Sequence, residues 1–259
     1  MKVTVLGCGG SGGVPLVGNI WGDCNPENPR NRRRRVSVHV EQPGASVLID
    51  TSPDLRAQLL DADIKRLDAV LFTHDHADHT HGIDDLRFLN TGRDAQPIEA
   101  WAARETMAVL AQRFDYIFRQ NEKGSGLLYR PFLAARTVSG PFAIGDLPVI
   151  PFQQQHGMGN FSMGYRLGPM AYSTDVVGLD EAAFAILEGL DLWIVDCLRF
   201  EPHPTHAHFD LTMEWIRRLK PKRTLLTHMN HSVDYDVIAR RCPPGVEPAY
   251  DGLTVDLAA

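Results

Sequence analysis

Apolar residues fall along the chain in short runs of strand length, broken by glycine, proline and polar clusters. The first run, Lys2-Val3-Thr4-Val5-Leu6, reads as a strand over 2–6. Strands are predicted again over 36–40 and 46–49, joined through Gln42-Pro43-Gly44. A helix follows over 55–60 with Asp54 as its N-cap, then an apolar run of buried-strand length over 67–72. Residues 98–101 read as a short strand and 102–113 as a helix. From 114 to 136, aromatic, polar and glycine residues show no clear period, a pattern open to a substrate-facing insertion. A strand is predicted over 147–152 and a hairpin over 162–167 and 170–173, closed by Gly168-Pro169. The remainder reads as a helix over 180–188 capped by Asp180, a buried strand over 190–195, a helix over 211–220, a strand over 223–226, a helix near 234–241 and a last strand over 253–257. Both halves follow a strands-then-helix order, with no internal repeat in detail.

The polar residues that matter lie where strands end. Directly after the run at 67–72 comes Thr73-His74-Asp75-His76-Ala77-Asp78-His79. His74 and His76 are two apart, so on a strand end they point the same way. Asp78 and His79 follow at once, with Asp78 placed to cap a helix beginning near His79. Two ligand pairs can therefore converge on two neighbouring cations. Imidazole and carboxylate together suit zinc, manganese or iron(II).

Other strand ends repeat the theme. Asp50 ends the strand before the histidine cluster, where a carboxylate can orient a ligand histidine. His156 stands alone after Gln153-Gln154-Gln155. Asp175 closes Tyr172-Ser173-Thr174-Asp175, and Asp196 ends the strand over 190–195. His203, His206 and His208 crowd into six residues, and His228 ends the strand over 223–226. His81 and His231 read as polar contacts away from the metal. The loop Gly7-Cys8-Gly9-Gly10-Ser11-Gly12-Gly13 either turns tightly or lines the site. It matches neither nucleotide-binding glycine pattern. Arg30 and Arg32 to Arg35 read as a solvated face, or as partners for a phosphate or for buried carboxylates.

Composition narrows the choice. A length of 259 residues fits one domain over 1–259 with a sizeable core. The net charge of −6 disfavours extended nucleic acid as a partner. The four cysteines are scattered, which suits a reducing compartment. No signal-peptide pattern and no apolar run of membrane-spanning length is evident. A cytoplasmic protein with no membrane partner is expected.

The histidine–aspartate run is similar to the signature of the metallo-β-lactamase fold superfamily. The resemblance covers nearly the whole chain. It takes in the glycine-rich start, the Pro29-to-Arg35 loop, Pro202-His203-Pro204-Thr205-His206, Leu226-Thr227-His228 and Tyr250-Asp251-Gly252. These segments resemble the cyclic phosphodiesterase family of the carbon–phosphorus lyase pathway, with the tRNA 3′-processing endonucleases more distant. That family carries a cysteine cluster for a structural zinc in its early loop. Here only Cys24 stands there, so no such site is expected.

The resemblance implies an α/β fold, a four-layer αββα sandwich of the metallo-β-lactamase type, with the site at one edge. It implies two divalent metal ions, zinc or manganese. His74, His76 and His156 would hold one. Asp78, His79 and His228 would hold the other, and Asp175 would bridge. The catalytic set is then Asp78 with a general acid, His206 first, His208 as the alternative and His203 third. The implied activity is hydrolysis of small phosphodiesters, such as cyclic nucleotides or cyclic sugar phosphates, by a metal-activated water. An RNA-processing nuclease, a thiolesterase and an accessory protein of pyrroloquinoline-quinone biosynthesis are the competing readings. A homodimer stays open.

Overall fold

The computed structural model describes residues 1–89, 96–119 and 132–258. Strands β1 (Lys2–Gly7), β2 (Ser37–Gln42), β3 (Ala45–Ile49), β4 (Ala69–Leu71), β5 (Ile98–Ala102) and β6 (Leu133–Thr137) lie in that order in one sheet. Strands β7 (Phe142–Ile144), β8 (Leu147–Gly157), β9 (Asn160–Leu167), β10 (Met170–Ser173), β11 (Leu192–Asp196), β12 (Arg223–Thr227) and β13 (Val246–Pro248) lie in sequence across the second. The last strand, β14 (Thr254–Asp256), crosses back to pair antiparallel with β1. Both sheets are mixed. In the first, β3 to β6 run parallel; in the second, β10 to β13 do. Parallel neighbours need crossovers, and helices supply most of them.

The two faces of the first sheet bury different partners, as a period of two requires. Val47, Ile49, Ala69 and Leu71 join the core shared with Val149, Leu167 and Tyr172 of the second sheet. Leu48 and Val70 join a separate cluster with Leu55 and Leu59 of α1 (Leu55–Asp61). The helix α2 (Ala77–Thr80) is one turn long. Met107 and Leu110 of α3 (Arg104–Arg113) and Ile117 of α4 (Asp115–Phe118) complete that outer cluster. Against the second sheet pack α5 (Glu181–Ile186), α6 (Phe209–Leu219) and α7 (Tyr235–Arg241). In α6 the buried Phe209, Thr212, Met213 and Ile216 recur at helical spacing. Two sheets face each other between two layers of helices, the four-layer sandwich expected.

Several local expectations are corrected. Asp54 makes no capping hydrogen bond. Its carboxylate accepts from the Arg35 backbone N–H at 2.9 Å and pairs with the Arg35 guanidinium. Asp78 is inside the first turn of α2, with His76 in the cap position, which frees its carboxylate for the site. The arginine run is no uniform solvated face. Arg33 is 2% exposed and donates to Asn31, Asn230 and Val233. Arg30 places its guanidinium over the rings of both Tyr235 and Tyr250. The edge strands β6, β7 and β13 carry too few alternating apolar positions to stand out in the sequence. Within the aperiodic stretch, α4 and β6 are regular, and residues 120–131 lie outside the described residues.

Candidate metal centre

The ends of β3, β4, β8, β10, β11 and β12 meet at one edge of the sandwich. Asp50, Asp175 and His228, each at a strand end, have φ of 61°, 53° and 60°. Non-glycine residues pay for the left-handed conformation, and such strain concentrates at functional sites. In β8 the register shifts between Gln155 and Gly157, leaving His156 as the bulged residue. A bulge re-aims a side chain. His156 therefore sits within the last turns of an 11-residue strand, beyond the end at 152 expected from the sequence.

Hydrogen bonds fix which nitrogen of each ring faces inward. His156 Nδ1 lies 2.9 Å from the carbonyl of Thr205, which can only accept. The Nδ1 atom thus holds the proton. His79 Nδ1 lies 2.7 Å from Asp50 Oδ2. Thr73 donates its hydroxyl to Asp50 Oδ2 at 2.8 Å and so accepts from His74 Nδ1 at 3.0 Å. The Thr73 backbone N–H also donates to Asp50. One buried carboxylate thereby orients two imidazoles.

The inward atoms converge on Asp175, which is 2% exposed. Its Oδ1 lies 3.7 Å from His74 Nε2 and 3.7 Å from His156 Nε2. Its Oδ2 lies 3.1 Å from His79 Nε2 and 3.4 Å from His228 Nε2. Asp78 Oδ2 is 3.3 Å from His79 Nε2 and 3.6 Å from His228 Nε2. Two groups result, each able to hold a cation: His74, His76, His156 and Asp175, and Asp78, His79 and His228. All seven are residues the sequence singled out, and the structure brings them together at this edge. Among the described residues, Nε2 of His74, His79 and His228 are buried with no hydrogen-bond partner. Buried polar atoms are seldom left so. A nitrogen and oxygen donor set with orphaned buried atoms fits a divalent transition-metal cation.

Charge is concentrated here. Burial alone would raise Asp175, but the imidazoles of His228, His79 and His74 outweigh it and hold the carboxyl well below its ordinary range. Burial would lower His228, yet Asp175, Asp78 and Asp196 lift it to about 9. Carboxylates and imidazoles here each favour the charged form of the other.

His206 Nε2 lies 3.8 Å from Asp175 Oδ1, and its ring touches those of His156 and His228. It completes a third possible set with Asp175 and His228 that overlaps the second. Its Nδ1 is 2.9 Å from Asp196 Oδ2. His203 lies one ring farther out, 5.2 Å from His206 between ring centres. His208 occupies the N-cap position of α6 and belongs to none of the three sets.

Asp196 is the residue whose role the sequence did not disclose. It is fully buried, accepts from the Val176 backbone N–H at 3.1 Å and has Oδ1 4.0 Å from His228 Nδ1. Its position was the signal, a carboxylate closing a buried strand as Asp50 does. Thr205 acts through its backbone carbonyl, which leaves no mark on the sequence. Gly9 and Gly10 bring the first loop against the chain beside His228, where a Cβ on Gly10 would stand 3.3 Å from the His228 carbonyl.

Comparison with known proteins agrees with this architecture. Residues 45–229 match the family model of the beta-lactamase superfamily domain. The chain belongs to that superfamily, in its metallo-β-lactamase-fold branch. A crystal structure described as a new diphosphatase from the PhnP family is 36% identical, with a TM-score of 0.89, covering 99% of this chain and 98% of that one. Zinc-bound PqqB from Methylobacterium extorquens shares the fold at 19% identity and a TM-score of 0.74, covering 99% of this chain and 100% of that one. A curated relative from Porphyromonas gingivalis, named octanoyltransferase, is 33% identical over 257 residues. These are 98% of this chain and 51% of that protein, so the chain spans about half the length of the curated relative it matches. Fold, family and site define a member of the metallo-β-lactamase-fold superfamily that carries adjoining groups of candidate metal ligands.

Proposed function

We propose that this protein is a dinuclear metal-dependent phosphodiesterase acting on small diesters, cyclic nucleotides or cyclic sugar phosphates among them. The observation that carries the reading is Asp175, whose two oxygens face two separate histidine groups. Two divalent cations held by those groups would supply Lewis acidity for an attacking water and for the phosphate oxygens. Asp50 and Thr73 keep His79 and His74 in the tautomer that presents Nε2. A diester also needs a proton for its leaving alkoxide. His206 is suited to give it, because Asp196 fixes its Nδ1 and leaves Nε2 facing the site.

A second reading is favoured by the 36% identical diphosphatase. Hydrolysis of a diphosphate would use the same residues but releases a phosphate, a stable anion that needs little help from an acid. Acyl transfer through a cysteine is unsupported here. Burial pushes the thiols of Cys8, Cys24 and Cys197 up, and that of Cys242 to about 11.

The test uses manganese-loaded protein and three substrates: a cyclic nucleotide, bis(p-nitrophenyl) phosphate and a nucleoside diphosphate. Both diesters should be cleaved, and Asp175→Ala should abolish turnover. His206→Ala should slow the cyclic nucleotide far more than the nitrophenyl ester. Cleavage of the diphosphate alone, indifferent to His206→Ala, would replace the first reading with the second.

A further inference from the structure

Beside the metal centre, between α3 and the β8–β9 hairpin, lies a cavity of about 410 Å³. That volume is in the range of small-molecule sites. One wall is Thr73-His74-Asp75, continuous with the candidate ligands. Gln153 and Asn160 to Met163 continue that wall, the Met163 backbone N–H donating to the Thr73 carbonyl at 2.8 Å. The first turns of α3, with Glu105 and Thr106, close the end.

The chemistry of these walls is specific. Among the described residues neither lysine nor arginine lines the cavity, while Glu105 and Asp75 do. Arg113 neutralises Asp75 from outside, donating to its carbonyl and, at 3.0 Å, to its carboxylate. Glu105 adds a carboxylate that no cation among the described lining residues balances. A second phosphate would be repelled here. The primary amide of Gln153, on the same face of the β8–β9 hairpin as Phe161 and Met163, both donates and accepts, as recognition of an uncharged polar edge requires. Phe161 is 55% exposed, a large aromatic face left to solvent on the side of the hairpin that carries Gln153. Base–aromatic stacking uses such a face whatever the base.

We infer that this cavity is the subsite for an uncharged nucleoside esterified to the reacting phosphate, stacked on Phe161 and read by Gln153. The inference rests on the phosphodiesterase reading and narrows it to diesters carrying a nucleoside on one side. It sets the nucleoside along the wall that runs on from His74, with the phosphate at the metal centre.

Two measurements test it. Manganese-loaded protein is given thymidine 5′-(p-nitrophenyl phosphate) and methyl p-nitrophenyl phosphate, which share a leaving group. Wild type should favour the thymidine ester at least tenfold in kcat/KM. Phe161→Ala should collapse that ratio at least tenfold, mainly through KM. Equal kcat/KM for the two esters in wild type, or an unchanged ratio in Phe161→Ala, overturns the subsite. Separately, saturation-transfer NMR with uncharged thymidine reads binding without turnover. Signal in wild type that is lost in Phe161→Ala supports the subsite even if neither ester is cleaved, in which case only the phosphodiesterase reading has failed. No signal in wild type overturns the subsite.

Discussion

His39, on β2, is a histidine with a structural task. It is 6% exposed and its Nε2 lies 2.8 Å from the Ser46 hydroxyl on β3. Burial pushes its pKa down to about 4. Between pH 6.5 and that value the unfolded chain takes up a proton that the folded chain refuses. Stability contributed by this residue is therefore complete above pH 6.5 and lost as pH falls toward 4, about 3 kcal/mol in all. Urea unfolding of His39→Gln at pH 4.5 and pH 7 should show a smaller difference between the two conditions than wild type, by about 2–3 kcal/mol. An equal difference would mean that the ring is protonated in place. Asp196 is the contrasting case, a residue that acts through others. Asp196→Asn keeps its volume but weakens its hold on His206 Nδ1, so kcat for a cyclic nucleotide should fall about 10–100-fold. The loss should be much smaller for bis(p-nitrophenyl) phosphate, whose leaving group needs little protonation. Steady-state kinetics on the two substrates separates this from general damage.

At the scale of elements, the β8–β9 hairpin and the 203–206 segment depend on one close approach. Gly157 has φ of +74°, and a Cβ there would stand 2.1 Å from the carbonyl of Pro204. Gly157→Ala should displace the segment that carries His206, lowering turnover at least tenfold as well as the melting temperature. Gly189 is the control. Its φ is +69° but nothing lies within 4 Å of the added atom, so Gly189→Ala should cost only the backbone penalty of about 1–2 kcal/mol and leave turnover intact. Thermal melts and a single assay distinguish the pair. The hairpin also shows where sequence reading stops. β9 and β10 were visible because apolar residues and Gly168-Pro169 mark them. The bulge at His156 was not, since a bulge is a matter of register between two strands, and one strand's sequence does not carry it. The histidine and aspartate positions were legible because strand ends recur wherever an apolar run stops. Asp54 misled for a related reason. A carboxylate one residue before a helix reads as a cap, and only the fold brings Arg35 to compete for it.

For the whole molecule, the ligands are divided between the sheets. His74, His76, Asp78 and His79 follow β4 of the first, whereas His156, Asp175 and His228 close strands of the second. A cation that binds only the folded arrangement stabilises it by mass action, about 2.7 kcal/mol at a concentration 100 times its Kd. Chelator-treated protein should accordingly melt several degrees higher when manganese is added, and Asp175→Ala should lose most of that shift. Calorimetry on both proteins checks it. The division has a wider meaning. A boundary drawn between β6 and β7 leaves four of these donors on one side and three on the other, with β14 as the strand that ties the far end back. The centre thus behaves as a coincidence detector. It assembles only when the two sheets have found their mutual alignment, so a filled centre would report that the sandwich has closed correctly.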